Sequence, residues 1–222
     1  MLYQVVRRVL APLLKAVFRP HVEGIEDVPP EGPVIFASNH LSFIDSIIIP
    51  LIAPRSVSFL AKAEYFEGGN LRQRMAGAFF SAMGAVPVRR GQGRAAVAAL
   101  DAGIEVLNKG GGFGIYPEGT RSLDGKLHRG HTGVAQLALS TGALVVPVAL
   151  LGTDKVQPKG KKLPRVHRFT VRFGKPLDFS RYEGMGASPP IRRAVTDEIM
   201  YAIMELSGQE YVDSYHKRPD AA

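Results

Sequence analysis

Cysteine is absent from all 222 positions, which excludes a disulfide scaffold, a thiol nucleophile and thiolate-bound zinc or iron–sulfur clusters. The same absence argues against a small secreted, disulfide-stapled protein. Tryptophan is missing too, and no stretch interleaves basic with aromatic residues, so no nucleic-acid partner is expected. Long apolar runs are also lacking. The longest, Ala143–Leu151, has nine residues and contains Pro147, about half of the roughly 18 a spanning helix needs. Arg7, Arg8 and Lys15 interrupt the apolar start, unlike a signal peptide. No repeat is visible, no Gly-x-Ser-x-Gly elbow supplies a serine nucleophile, and no phosphate-binding P-loop is present. The glycines of Gly110–Gly114 lack dinucleotide-binding spacing and open no helix.

What is present is a basic, core-forming chain. It carries 28 Lys and Arg against 20 Asp and Glu, a formal charge of +8, with 45% hydrophobic residues. That length suits a single α/β domain, and the charge implies an anionic partner. Residues 2–18 place Leu2, Val6, Val9, Leu10, Leu13 and Val17 on one arc, with Arg8, Lys15 and Arg19 opposite. The expectation is an amphipathic membrane-interface helical segment over residues 1–20, kinked or split at Pro12, ahead of an α/β domain over 21–222. A Pro/Gly-rich stretch at 28–33 marks the boundary.

From Val34 onward, short β-rich runs alternate with helical patterns. The runs at Val34–Ala37, Val57–Ala61, Ala85–Val88, Phe113–Tyr116 and Leu144–Leu150 read as buried strands. Helices are expected over Leu71–Met83, around Val97–Leu107, over Thr132–Thr141, and from a Ser188 cap through Pro189 to Gly208. Arg168–Phe173 alternates as a half-exposed strand. The fold class that follows is a central, mostly parallel sheet covered by helices on both faces. Its working residues then gather at the carboxyl ends of the strands.

Two segments stand at such ends. Asn39, His40, Ser42 and Asp45 follow the first strand, and a turn there lets the Asp45 carboxylate face the His40 imidazole. Such a pair fixes the tautomer of a general base. The plainer reading, in which Asp45 caps a helix at Ser46–Leu51 and His40 packs in a loop, stays open. Tyr116–Ser122 follows another strand and offers Glu118, Gly119, Thr120 and Arg121, the last a planar donor suited to phosphate. Gly84–Arg90 delivers Arg89 and Arg90 to a strand end, and Lys62 ends another strand. Val145–Ala149 is apolar wall, its Pro147 calling for an edge or bulged position. His128 and His131 are closely spaced, but no nearby carboxylate or thiolate is read as completing a metal set, and no metal is expected.

In order and spacing, these segments resemble the glycerolipid acyltransferase family, and within it the 1-acyl-glycerol-3-phosphate acyltransferases. Asn39–Asp45 matches the family's Asn-His-x4-Asp block. Gly84–Arg90 is similar to its second block, Tyr116–Ser122 to the Phe-Pro-Glu-Gly-Thr-Arg-Ser block, and Val145–Ala149 to the fourth. One departure is Leu127–Gly130, where the family often has Lys-Lys-Gly. The resemblance implies transfer of an acyl group from acyl-CoA or acyl carrier protein to the free hydroxyl of a lysophospholipid. No cofactor is needed beyond that co-substrate, and an anionic membrane surface on the cytoplasmic side is the expected workplace. His40 would be the base and Asp45 its orienter. Arg89, Glu118, Gly119, Thr120 and Arg121 would hold the acceptor phosphate, with Asn39, Ser42 and Lys62 as further candidates. Glu118 can serve a dianion only by binding a hydroxyl or bracing an arginine. Acyl-CoA hydrolysis and a non-enzymatic basic lipid-binding module remain the alternatives.

Overall fold

The computed structural model describes residues 2–67, 70–88, 95–161 and 163–216. Seven strands form the main sheet: β1 (His21–Glu23), β2 (Val34–Ser38), β3 (Val57–Lys62), β4 (Val86–Val88), β5 (Gly112–Ile115), β7 (Leu144–Leu151) and β8 (Thr170–Phe173). A two-residue pair, β6 (Leu127–His128) and β9 (Tyr211–Val212), stands apart from it. The helices are α1 (Leu2–Phe18), α2 (Asp45–Ile52), α3 (Leu71–Ala82), α4 (Ala95–Asn108), α5 (Gly133–Thr141), α6 (Thr153–Val156) and α7 (Pro189–Ser207). The main sheet runs β1-β8-β7-β2-β5-β3-β4, and every pairing in it is parallel except β7 with β8.

Strand alternation explains the two cores. Along β2, Val34 and Phe36 point to one face while Ile35 and Ala37 point to the other, and all four are buried. The first face packs Phe59, Val146, Val148 and Phe173 under Leu14 of α1 and Ile48, Ile49 and Ile52 of α2. The second packs Phe113 and Val145 under Leu107, Val134, Leu137, Val195, Ile199 and Ile203 from α4, α5 and α7. A sheet buried on both faces needs near-continuous apolar strands, which is why those runs could be read directly.

Of three local expectations, one is met by its second option and two change. Pro147 is not at an edge: β7 lies inside the sheet, between β8 and β2. The Pro147 carbonyl accepts from Gly174 N at 2.8 Å, so its N side also faces β8. There the ladder is irregular, because Val148 opposes Phe173 while Val145 bridges Leu177. The missing N–H thus falls at a bulge, the second of the two expected settings. Pro12 does not split α1, which runs unbroken with Pro12 on its exposed side. Water can there satisfy the Arg8 carbonyl that Pro12 leaves without a donor. Ser188 occupies the cap of α7 but its side chain makes no capping bond, so Pro189 and the left-handed Gly208 carry the punctuation.

The arc of α1 is divided. Leu14 is buried, and Val6, Leu10, Ala11 and Phe18 lean on the core. Tyr3 donates its hydroxyl to Pro50 O at 3.0 Å, and Arg7 donates to the carbonyls of Ala53 and Pro54. Val5, Val9, Leu13 and Val17 remain exposed, at 56%, 64%, 57% and 41%. No helix among the described residues is long and apolar enough to cross a membrane.

Candidate active site

The end of β2 is clamped before it reaches the histidine. Asn39 is fully buried and grips the last turn of β7 with both ends of its amide. Its Nδ2 donates to Leu150 O at 3.0 Å and its Oδ1 accepts from Leu150 N at 2.8 Å. The same Nδ2 donates to Gln209 Oε1 at 2.7 Å. Asn39 therefore fixes the backbone that launches His40.

His40 Nδ1 lies 2.9 Å from Asp45 Oδ2. That oxygen also accepts from Leu41 N at 2.8 Å and Ser42 N at 2.7 Å, so it ties the loop ahead of α2 while it holds the imidazole. The capping reading of Asp45 is not met: Asp45 is the first residue of α2, Ile44 holds the cap position and no side-chain capping bond is made. Asp45 is fully buried, whereas the His40 side chain is 15% exposed and its Nε2 has no hydrogen-bond partner among the described residues. A carboxylate only accepts, so Nδ1 carries the proton and Nε2 presents its lone pair. Ser42 is buried and donates its hydroxyl to Gln157 O at 2.7 Å, a structural tie.

Tyr116, just past β5, stacks on the His40 ring with centroids 3.8 Å apart and planes 7° from parallel. Its hydroxyl is 3.0 Å from Ser46 Oγ. Burial pushes the Tyr116 phenol well above its ordinary value, and the Asp45 charge pushes the same way against the Ser46 bond. Behind Tyr116 lies Phe59, centroids 5.2 Å apart, and Phe59 has room only because residue 114 is glycine. A Cβ built on Gly114 would sit 2.1 Å from the Phe59 ring. The glycine run without dinucleotide spacing serves packing.

The chain then turns. Gly119 adopts φ +73 and donates its N–H to Tyr116 O at 3.0 Å, a left-handed conformation that favours glycine. Ser122 N donates to His40 O at 2.7 Å, joining this turn directly to the His–Asp loop. Thr120 and Arg121 are half-buried, and their side chains make no hydrogen bond or ion pair among the described residues. Arg121 is a cation beside the histidine loop with its donors uncommitted.

Glu118 points the other way. It is 2% exposed, and its Oε1 accepts from His128 N at 2.9 Å while Oε2 is buried without a partner. Burial raises its pKa to about 7, more than the His128 bond lowers it. Glu118 braces the returning chain at His128 rather than facing outward. Lys62 ends β3 beside Val88, and Arg89 lies outside the described residues. Asp124, four positions before His128, was overlooked as a nearby carboxylate; its Oδ2 lies 2.9 Å from His128 Nε2. Gln209, Ser46 and Gln157 also brace the site. No local motif marks them, because their partners lie 70 to 170 positions away.

A doubly covered α/β sheet thus carries a His–Asp pair at its carboxyl edge, beside an Arg-bearing turn. The family model described as Acyltransferase matches residues 19–151, and the chain belongs to that family. The chloroplastic 1-acyl-sn-glycerol-3-phosphate acyltransferase of Arabidopsis thaliana is 36% identical over 146 residues, 65% of this chain and 39% of that protein. The enzyme of that name from Bacillus subtilis is 27% identical over 186 residues, covering 83% of this chain and 86% of its own length. The chain thus spans about two fifths of the Arabidopsis relative but most of the Bacillus one. The crystal structure of the 1-acyl-sn-glycerophosphate acyltransferase from Thermotoga maritima shares the fold, with a TM-score of 0.64 at 24% identity over 93% of this chain and 84% of that one.

Proposed function

We propose that this protein transfers a fatty acyl group from acyl-CoA or acyl carrier protein to the free hydroxyl of 1-acyl-glycerol-3-phosphate, forming phosphatidic acid. The observation that carries the reading is the His40–Asp45 pair with an unpartnered Nε2. His40 Nε2 takes the proton of the acceptor hydroxyl as that oxygen attacks the thioester carbonyl carbon. Asp45 holds the ring and balances the imidazolium. The C–S bond then breaks, the acyl group stays on the acceptor oxygen, and the thiolate takes the proton back from His40. No protein nucleophile enters, which agrees with the missing serine elbow and the missing cysteine. Arg121, whose side chain makes no hydrogen bond among the described residues and which lies one residue from the Ser122–His40 contact, would bind the acceptor phosphate. Arg89 is kept as a second phosphate ligand on the resemblance alone. Glu118 acts as a positioning residue that holds His128.

Reaching a bilayer lipid requires a surface contact. The exposed stripe Val5, Val9, Leu13 and Val17, flanked by Arg8 and Lys15, suits the interface of an anionic membrane. A cleft lined by Arg19, Lys155 and Arg168 beside the end of β7 adds positive charge suited to a polyanionic donor.

The test supplies purified protein with lysophosphatidic acid and an acyl-CoA, and follows CoA release and phosphatidic acid together. Acceptor-dependent release is expected, with His40→Ala lowering turnover at least about 10²-fold. Equal release without acceptor would make the protein a thioesterase. A His40→Ala variant keeping more than about a tenth of the activity would remove His40 from the chemistry.

A further inference from the structure

Beyond Glu118, the chain reaches a cluster that acyl transfer does not use. A carboxylate oxygen of Asp124 and one ring nitrogen each from His128 and His216 all lie within 4.8 Å of one another. The two imidazole rings are in contact, centroids 4.1 Å apart. His128 Nδ1 and His216 Nε2 are both buried with no hydrogen-bond partner. Asp124 is held in place from one side only. Its Oδ1 accepts from Ser122 Oγ at 3.0 Å and Lys126 N at 3.1 Å, while Oδ2 is turned to His128.

His128 meets Asp124 through Nε2, so an ion held by both uses that nitrogen. The buried His216 Nε2, which has no hydrogen-bond partner, is a further lone pair beside them, and leaving it unpaired is costly. An electron-pair acceptor at the cluster would take it.

We propose that Asp124, His128 and His216 together bind one divalent transition-metal ion, with zinc as the type case. Two neutral imidazoles and one carboxylate form a donor set of intermediate softness. It suits zinc, cobalt or nickel, whereas calcium and magnesium take oxygen ligands. Around zinc, with ligand distances of about 2.0–2.1 Å, tetrahedral donors stand about 3.4 Å apart, so Asp124 Oδ2 and His128 Nε2, now at 2.9 Å, would part slightly while His216, within 4.8 Å of both, moves in. A water completes the coordination.

The ion would act as a staple. His216 follows β9, whose Tyr211 and Val212 pair with Leu127 and His128. Lys126 also meets Glu210 at 2.7 Å, and Gln209 reaches both Gly125 O and Asn39. Metal at Asp124, His128 and His216 therefore ties the 209–216 segment to the chain that Glu118 braces. It takes no part in the acyl transfer, and the inference does not depend on that reaction.

The experiment uses tag-free full-length protein stripped with a chelator and titrated with zinc sulfate, then with cobalt(II). One zinc per chain is expected, with a rise in melting temperature and a visible cobalt absorption band of a four-coordinate site. His216→Ala should weaken zinc binding at least tenfold and abolish the thermal shift, while its metal-free melting temperature stays near that of the wild type. Asp124→Asn should weaken binding at least tenfold. His167→Ala, an exposed histidine elsewhere, should bind as the wild type does. His216→Ala also carries the test should a His128 variant fail to fold. Absence of stoichiometric uptake, or uptake unchanged in His216→Ala, would overturn the assignment.

Discussion

The imidazole of His40 lies flat against the ring of Tyr116, 3.8 Å between centroids, while its other edge is fixed by Asp45. The imidazole is thereby held in its plane by a carboxylate and across its plane by an aromatic face. Neither restraint alone would set the direction of Nε2.

Tyr116 stands where the resembling family usually has phenylalanine, so Tyr116→Phe should fold and keep the stacking. Below pH 10 the loss of the Ser46 bond should cost about 1 kcal/mol. The sign then changes with pH. The folded phenol titrates above its ordinary value, so its share of stability is complete below the unfolded value near 10 and is lost as pH rises beyond it. The deficit of Tyr116→Phe should therefore shrink above about pH 10. Denaturant unfolding of both proteins at matched pH checks this. A deficit constant up to about pH 11 would contradict the buried phenol.

Asp45→Asn tests the shared oxygen. An amide nitrogen turned toward the Leu41 and Ser42 N–H groups would repel them, and an amide cannot balance an imidazolium. Turnover should fall by about 10²-fold or more, and the protein should lose about 1–3 kcal/mol of stability. Steady-state kinetics and denaturant melts on the same preparation separate the two losses. Full activity in a destabilised protein would make Asp45 a structural tie of the loop alone.

Gly114→Ala should damage the site from behind. The added methyl collides with Phe59, which backs Tyr116. A cost of about 1–3 kcal/mol is expected for overpacking. The companion change Phe59→Leu should recover part of it by vacating the space. A neutral Gly114→Ala melt would refute the packing account.

Arg121→Ala should raise the KM for lysophosphatidic acid more than that for acyl-CoA. Arg121→Lys should restore it only in part, because an ammonium lacks the planar fork. Equal effects on both substrates would assign Arg121 to the fold or to the donor.

The divided face of α1 lets docking on the core be tested apart from the proposed membrane contact. Removing residues 1–20 should destabilise the whole domain, since Leu14 belongs to the core. Replacing Val9 and Leu13 by glutamate should leave the melting temperature nearly unchanged and reduce sedimentation with anionic vesicles at least tenfold. Vesicle binding should also weaken as salt rises, because exposed charges are screened. Unchanged sedimentation would put the contact on another surface.

The sequence displayed most of the sheet because strands buried on both faces must be largely apolar, and β2, β5 and β7 are, with β3 interrupted by Ser58 and ended by Lys62. The three-residue β1 and two-residue β6 and β9 carry too few positions for any periodicity. His40 and Asp45 were legible because a five-residue turn keeps them neighbours in space. The burial of Glu118 was not legible, because nothing nearby in sequence reveals that its oxygen meets the His128 backbone. Pro147 was half legible: its lack of a donor was plain, but the bulge that accommodates it depends on Gly174, 27 positions away. The apolar arc of α1 was legible as an arc, but how much of it docks depends on α2.

The bond from Asn39 to Gln209 spans 170 positions. During synthesis, the loop bearing His40 must therefore wait, its clamp unfinished, until nearly the whole domain has been translated. A nascent chain that has made all four sequence blocks but not yet residue 209 carries every catalytic candidate and still lacks the contact that sets them. Activity should emerge late and abruptly along a series of lengthening chains, because closure of the longest loop comes last.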